Sequence, residues 1–256
     1  MSIYNCSGTL KQALDSLLAQ SYQGFKVVLC DDCSTDNTLE IARQYKVKYP
    51  DKFILIRNKV NSRLPYSLNH CLEYADTEYV ARMDGDDLSK PKRFQKEIEF
   101  LDNHPEFAIV SCAMEYFDEN GVFKTGKVVP EPGKKNFIGT TPHAHAPVMI
   151  RTAAIKAVGG YTVERWTRRG QDVHLWAKLY SAGYRGYNLV DALYMMRDDS
   201  SAYKRRTVIE GWYSVRRNYE IFKMMGISRL NIYGLLRPLF VALLPKGIYG
   251  FLHRNS

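Results

Sequence analysis

No run of 18 apolar residues occurs in this 256-residue chain, so no segment has the length a transmembrane helix needs. No cleavable apolar core follows the opening Met1-Ser2-Ile3-Tyr4-Asn5, and no secretory signal peptide is expected. The cysteines are too few and too irregular for a disulfide framework. Cys6, Cys30, Cys33, Cys71 and Cys112 make an odd set, which suits a reducing compartment. Cys30-Asp31-Asp32-Cys33 has C-x-x-C spacing, but there is no second pair for zinc and no evident helix N-terminus for redox chemistry. Neither role is assigned to it. Internal repeats and low-complexity linkers are also missing, which argues against a solenoid. Acidic residues thin out toward the C-terminus. Residues 197–256 carry eleven Lys/Arg against four Asp/Glu, a net +7 within a chain of +9. A basic segment of this kind suits anionic partners such as phospholipid headgroups or nucleic acid.

What is present is an alternating pattern in a chain long enough to bury a substantial core, at 45% hydrophobic. Leu10, Ala13, Leu14, Leu17 and Leu18 follow helical spacing behind Ser7 or Thr9 as cap. Residues 25–30 read as a buried strand, 35–49 as a helix, 53–56 as a strand and 65–75 as a helix with Pro65 in its first turn. A buried strand follows at 78–83, then a helix to Leu101 and a strand at 107–113. Strands alternating with helices imply a mostly parallel sheet with helices on both faces. Such a fold should open on a strand, yet this chain opens at that strand's end. The first strand is therefore expected to be nearly absent or to begin upstream. Further on, Asp118-Glu119-Asn120-Gly121 signals a hairpin. Strand 147–151, helix 153–158 stopped by Gly159-Gly160, helix 171–182 and one long helix over 203–225 complete the pattern.

The run Met83-Asp84-Gly85-Asp86-Asp87 is the most informative segment. It places three carboxylates where a strand gives out into a loop, the usual ligand crevice of an open α/β sheet. Like charges this close repel unless a cation joins them. Mg²⁺ or Mn²⁺ holding a diphosphate is the natural partner, and an acidic surface turn is the plain alternative. Val28-Leu29-Cys30-Asp31-Asp32-Cys33-Ser34-Thr35-Asp36 likewise ends a strand with carboxylates. A carboxylate at Asp32 can accept from a nucleoside ring N–H or a ribose hydroxyl, and Asp36 suits a helix cap.

These segments, with Tyr4-Asn5, Pro91-x-Arg93-Phe94, His145-Ala146-Pro147-Val148-Met149-Ile150-Arg151, Val158-Gly159-Gly160-Tyr161 and Gln171-Asp172-x-x-Leu175-Trp176, resemble family-2 glycosyltransferases in order and spacing. The resemblance covers roughly residues 1–200. It implies a glycosyltransferase-A fold and inverting transfer from a nucleotide sugar, most often a UDP-sugar. It implies that Tyr4, Asn5 and Asp32 line the donor nucleoside pocket with Arg63 nearby. Asp84 and Asp86 match the family's D-x-D, gripping ribose and a metal ion, with Asp87 as a third candidate ligand. Asp172 matches the family's general base, and Arg168-Arg169 just before it are placed to keep it ionised. His145, Gln171, Trp176 and Arg197 are candidates for acceptor or diphosphate contact. His143 is incidental. The family usually has Glu where this chain has Gln171, and often Gly where it has Arg63.

On this reading residues 1–110 form the nucleotide-sugar half, 111–200 the acceptor and catalytic half, and 201–256 a basic amphipathic helical tail. Leu235-Leu236-Arg237-Pro238-Leu239-Phe240-Val241-Ala242-Leu243-Leu244-Pro245-Lys246 is too short to span a bilayer and suits lying in the headgroup region; the alternative is a helix docked on the domain. The expected partners are a nucleotide-sugar donor, a glycan or lipid-linked acceptor and a membrane surface, with no nucleic acid. The expected place is cytoplasmic, peripheral on the inner face of the plasma membrane. Two other readings use the same features. A nucleotidyltransferase also needs a nucleotide half and paired carboxylates, but Asn5-Cys6-Ser7-Gly8 lacks the glycine- and basic-rich phosphate loop it requires. A non-catalytic polyanion-binding protein would use the basic tail alone.

Overall fold

The computed structural model describes residues 1–138, 140–198, 207–228 and 230–243. Its first third is strictly alternating: β1 (Ser2–Ile3), α1 (Leu10–Leu18), β2 (Val27–Asp31), α2 (Thr38–Lys48), β3 (Phe53–Arg57) and α3 (Leu64–Leu72). β1, β2 and β3 pair in parallel, so their C-terminal ends share one edge. The next elements are β4 (Tyr79–Ala81), β5 (Leu88–Ser89), α4 (Arg93–Asn103), β6 (Ile109–Asp118) and β7 (Gly121–Thr125). Then come β8 (Met149–Arg151), α5 (Thr152–Ala157), α6 (Gln171–Ser181), β9 (Gly186–Arg197), α7 (Val208–Met225) and α8 (Ile232–Leu243). Strands β4 to β9 form a second, mixed sheet with path β4-β8-β6-β9-β5 and β7 hairpinned onto β6. Among the described residues only its β6–β9 pair is parallel.

The apolar spacing read in the first helix does what it should: Leu10, Ala13, Leu14 and Leu17 are all buried. Removing one such leucine from water contributes about 1.5–3 kcal/mol. They pack with Leu29, Phe53, Phe94 and Leu101 into one core beside the parallel sheet. A second core gathers Val148, Ile150, Ile155, Leu175, Trp176, Ile221 and Phe222 around α6 and α7.

Two expectations need correction. The strand at 78–83 is shorter and less covered than expected: β4 spans Tyr79–Ala81, where Tyr79 and Val80 are half-buried and Ala81 is exposed, and burial is complete only beyond it at Arg82 and Met83. Among the described residues β4 pairs with β8 alone, and an apolar cavity of ≈ 390 Å³ lined by Val27, Val28, Leu72, Tyr79, Val80 and Phe94 lies along its other edge. β1, two residues long, pairs with β2 at Cys30 and Asp31, and Met1 before it extends the contact, its nitrogen donating to the Val28 carbonyl at 2.7 Å. The long C-terminal helix begins at Val208, where the Thr207 side chain accepts from the Glu210 N–H at 3.3 Å. Lys204-Arg205-Arg206 and the tail from Leu244 onward lie outside the described residues.

α8 docks on α7 through its first turn. A Cβ at Gly234 would meet the ring of Phe222 at 3.1 Å, and the Asn218 amide donates to the Gly234 carbonyl at 3.0 Å. Leu235 joins the second core, whereas Ile232 and Tyr233 face outward. The alternative of a helix docked on the domain therefore holds for the start of this segment. Among the described residues no helix is long and apolar enough to cross a membrane.

Candidate active site

The parallel strands aim their C-terminal ends at one edge, and three non-glycine residues with positive φ cluster just beyond it: Asn5 (φ 47°), Cys33 (φ 63°) and Arg63 (φ 75°). Strained backbone of this kind persists only where its surroundings over-determine it. Asn5 is held by Thr35, whose N–H donates to its Oδ1 at 2.9 Å, and by its own N–H donating to Ser34 Oγ at 3.1 Å. Arg63 is held through its backbone, because its N–H donates to Asp32 Oδ2 at 2.8 Å. Its side chain is exposed. A φ of 75° favours glycine, which gives a physical reason for glycine at this place.

Asp32 is buried. Its Oδ1 accepts from Asn58 Nδ2 at 2.7 Å and from the Ser62 N–H at 2.8 Å, in addition to the Arg63 bond. The carboxylate thus fixes the 58–63 loop, with lone-pair capacity left on Oδ2 for a nucleoside donor. Asp31, fully buried, pairs with Arg57 at 3.0 Å. Asp36 stands one residue before the N-cap Asn37 and accepts from the Thr38 N–H at 3.0 Å and the Ser7 N–H at 3.1 Å, tying the start of α2 to the loop after β1. Tyr4 stands 46% exposed at the mouth of this region, open to stack on a planar ligand.

At the end of β4 the three aspartates converge: one carboxylate oxygen from each of Asp84, Asp86 and Asp87 lies within 4.8 Å of the others. Gly85 makes this turn possible, since a Cβ there would meet Cys6 Sγ at 2.8 Å. Asp87 is buried, accepting from Tyr194 Oη at 2.9 Å and from the Arg197 N–H at 2.8 Å. Burial, and then the charge of Asp84, push its carboxyl up to about 7. Burial followed by the same neighbour also raises Asp86, which reaches further into solvent. Three hard oxygen donors this close, two of them raised by burial and then by a neighbouring carboxylate, suit Mg²⁺ or Mn²⁺, because a divalent cation offsets both costs. Arg197 closes one side, its Nε donating to the Asp86 carbonyl at 3.0 Å and its Nη2 to Gln12 Oε1 at 2.8 Å.

The other side is closed by a residue that the sequence reading passed over. Arg82 is 8% exposed, its guanidinium pairs with Asp84, and its Nε has no hydrogen-bond partner among the described residues. Burial opposes its charge, but Asp84, Tyr194, Tyr161 and Asp87 outweigh that and hold it firmly protonated. His145 lies close by, donating to or accepting from Tyr161 Oη through Nε2 at 2.8 Å, and burial followed by the Arg82 charge drives it well below the ordinary imidazole value. It is therefore neutral.

Asp172 occupies the first turn of α6 and is half-buried, with Gln171 before it. Burial raises its carboxyl, while the Val173 N–H, Arg217 and Arg82 pull it back down. The charges of both Asp172 and Asp84 act on Tyr161 and on Arg82, so both carboxylates belong to the surroundings of that pair.

One candidate falls elsewhere. Trp176 is fully buried in the second core, with its ring 6.0 Å from that of His145 and 5.6 Å from that of His143. It has no free face for a sugar, because α6 turns it inward. His143 takes no part in the site and is buried. It bonds Asn188 Oδ1 at 2.7 Å and Tyr180 Oη at 2.9 Å as a structural group.

Comparison with known proteins agrees with this geometry. The family profile described as "Glycosyl transferase family 2" matches residues 1–156. The "Putative glycosyltransferase EpsE" of Bacillus subtilis is 41% identical over 258 residues, covering 100% of this chain and 92% of that protein. An Escherichia coli protein named "UDP-Glc:alpha-D-GlcNAc-diphosphoundecaprenol beta-1,3-glucosyltransferase WfaP" is 26% identical, covering 89% of this chain and 86% of that one. Among solved structures, Staphylococcus aureus TarS 1–349 in complex with UDP-GlcNAc superposes with a TM-score of 0.71 at 21% identity, covering 94% and 70% of the two chains. The mannosyltransferase PcManGT from Pyrobaculum calidifontis, in complex with GDP-Man and Mn²⁺, gives 0.68 at 19% identity, covering 99% and 78%. With a glycosyltransferase-A fold and carboxylates gathered at the ends of its strands, the chain belongs to glycosyl transferase family 2.

Proposed function

We propose that this glycosyltransferase moves a sugar from a nucleotide sugar, a UDP-sugar, to a glycan or lipid-linked acceptor during assembly of a surface polysaccharide. The observation that carries the reading is the cluster of Asp84, Asp86 and Asp87 at the end of β4, with the charges of Asp84 and Asp172 both acting on Tyr161 and Arg82. A donor held by the first carboxylate group is thereby presented to the second. The names of WfaP, which carries a UDP-glucose donor and a diphosphoundecaprenol acceptor, and of the TarS complex with UDP-GlcNAc support the donor and acceptor classes.

In this reading Tyr4, Asn5, Asp32 and the backbone of Arg63 form the nucleoside pocket. Asp84 and Asp86 would hold Mg²⁺ or Mn²⁺, with Asp87 fixing the turn and the backbone of Arg197 beside them. When bound, such an ion stabilises the charge that gathers on a departing diphosphate. Arg197 and the buried Arg82 add fixed positive charge to the same region. Asp172 takes the proton of the acceptor hydroxyl as that oxygen attacks the anomeric carbon from the face opposite the diphosphate, which inverts the configuration. Neutral His145 and Tyr161 orient around the attack position. Residues 1–110 then serve the donor, 111–200 the acceptor and 201–256 the body's contact with an anionic membrane face, where the outward Ile232 and Tyr233 lie.

A thermal-shift panel of UDP-glucose, UDP-galactose, UDP-N-acetylglucosamine and GDP-mannose, each with and without Mn²⁺ or Mg²⁺, tests the reading. Saturation at a hundred times Kd stabilises by about 2.7 kcal/mol. Stabilisation by a UDP-sugar that needs the metal and is lost in Asp86→Asn is expected. A flat response to every nucleotide sugar with both metals overturns the assignment.

A further inference from the structure

α7 lies over the loop that leads into Asp172. Arg216 packs on the ring of Trp166 with its guanidinium carbon 5.5 Å from the centroid. Next to it, Arg217 donates from Nη1 to the Arg169 carbonyl at 2.5 Å and from Nη2 to Asn218 Oδ1 at 3.2 Å. Gly170, between Arg169 and the helix that carries Asp172, sits at φ 76°. A Cβ there would fall within 3.0 Å of Nη1, Cζ and Nε of Arg217, so the guanidinium occupies the space a side chain would take. Its Nε is buried with no hydrogen-bond partner among the described residues. Asn218 in turn ties α7 to Gly234 of α8 at 3.0 Å.

We infer that Arg217 is a positioning residue for Asp172, clamping the 168–170 loop so that the C-terminal helix pair forms part of the transfer site. The inference rests on Asp172 being the base. A cation built into α7 does two things at once. It fixes the backbone that sets the first turn of α6 through the Arg169 carbonyl, and its positive charge acts on the carboxylate in the direction opposite to burial. The other charged or titratable groups acting on Asp172 are Arg82 at the end of β4 and Tyr161 after α5, with Arg168 and Arg169 preceding it in the chain. Burial lowers Arg217 itself and Asp172 restores it, so each charge supports the other. The unpartnered Nε is the cost of placing this arginine against the loop, and the left-handed turn at Gly170, open to glycine, leaves the room for it.

The test uses the full chain and needs no identified acceptor. Hydrolysis of UDP-glucose or UDP-N-acetylglucosamine with Mn²⁺ breaks the anomeric C–O bond, gives UDP and free sugar, and requires the base to take a proton from water. Arg217→Gln is expected to keep the metal-dependent thermal shift and the donor KM. Its kcat should fall roughly 10- to 100-fold, as for a misplaced base. The acidic limb of its pH profile should move to higher pH. Arg217→Lys keeps the charge but loses the two-point hold, so its limb should stay in place while kcat still falls. If Arg217→Gln does not fold, Arg217→Lys decides: kcat within twofold of wild type overturns the inference. Unchanged kcat and limb in a folded Arg217→Gln overturn it equally. Should Asp172→Asn hydrolyse donor at the wild-type rate, the base assignment fails. Should Asp172→Asn be dead while both Arg217 variants match wild type, the base stands and only the clamp fails.

Discussion

Replacing Asp172 with asparagine separates catalysis from folding in a way the structure makes quantitative. A positioned general base contributes a factor of about 10² to 10⁴, or roughly 2.7–5.5 kcal/mol of transition-state stabilisation. Asparagine keeps the oxygen that accepts from the Val173 N–H, so the start of α6 should not fray. Stability should move the other way from activity. Burial raises the Asp172 carboxyl in the folded chain above its ordinary value of about 3.9. Between those two values the unfolded chain has released the proton and the folded chain still holds it, so wild-type stability falls as pH rises through that window. The neutral amide escapes this loss. Asp172→Asn is therefore expected to lose 10²- to 10⁴-fold in turnover with donor KM unchanged. By urea denaturation it should match or exceed wild-type stability near pH 7. Turnover within tenfold of wild type, or a clear loss of stability on removing the charge, refutes the reasoning.

Further outcomes follow from individual contacts. Trp176→Ala should cost about 3–5 kcal/mol of unfolding free energy, as a fully buried ring does, and lower the urea midpoint. A variant with wild-type stability but impaired acceptor binding would return Trp176 to the sugar site. Arg63→Gly should relieve backbone strain of about 1–3 kcal/mol, partly offset by glycine's greater freedom in the unfolded chain, about 0.5–1 kcal/mol. The urea midpoint should rise with the slope unchanged, and a fall would show that the Arg63 side chain has its own stabilising contact. Asp32→Asn cannot present acceptors to Asn58, Ser62 and Arg63 together. It should lose roughly 1.5–3 kcal/mol per unmatched charged hydrogen bond, and thermal denaturation with and without donor reads both the fold and the pocket.

The alternation of α1 to α3 with β1 to β3 was legible because periodicity is a local property: Leu10, Leu14 and Leu17 lie three and four residues apart whatever surrounds them. The aspartate cluster was legible for the same reason, since three carboxylates within four residues at a strand's end have few other arrangements. β9 was harder, because it is a long strand whose Val190 is 70% exposed while Tyr194 is fully buried. The buried character expected of β4 also failed, because a strand's cover depends on which neighbours pair with it and not on its own residues.

The sequence by itself determined the alternation of β1 to β3 with α1 to α3, the carboxylates at the strand ends and the types of group available for donor, metal and proton transfer. Only the tertiary structure decided that Arg82 is buried against Asp84, that Trp176 turns into the core, that Asp32 braces the 58–63 loop, and that Arg217 reaches Gly170 from 47 residues further along the chain. The reason is physical. Spacing along a chain fixes which side chains share one face of one helix or strand, whereas a charge's partner and a ring's burial depend on packing between elements far apart in sequence.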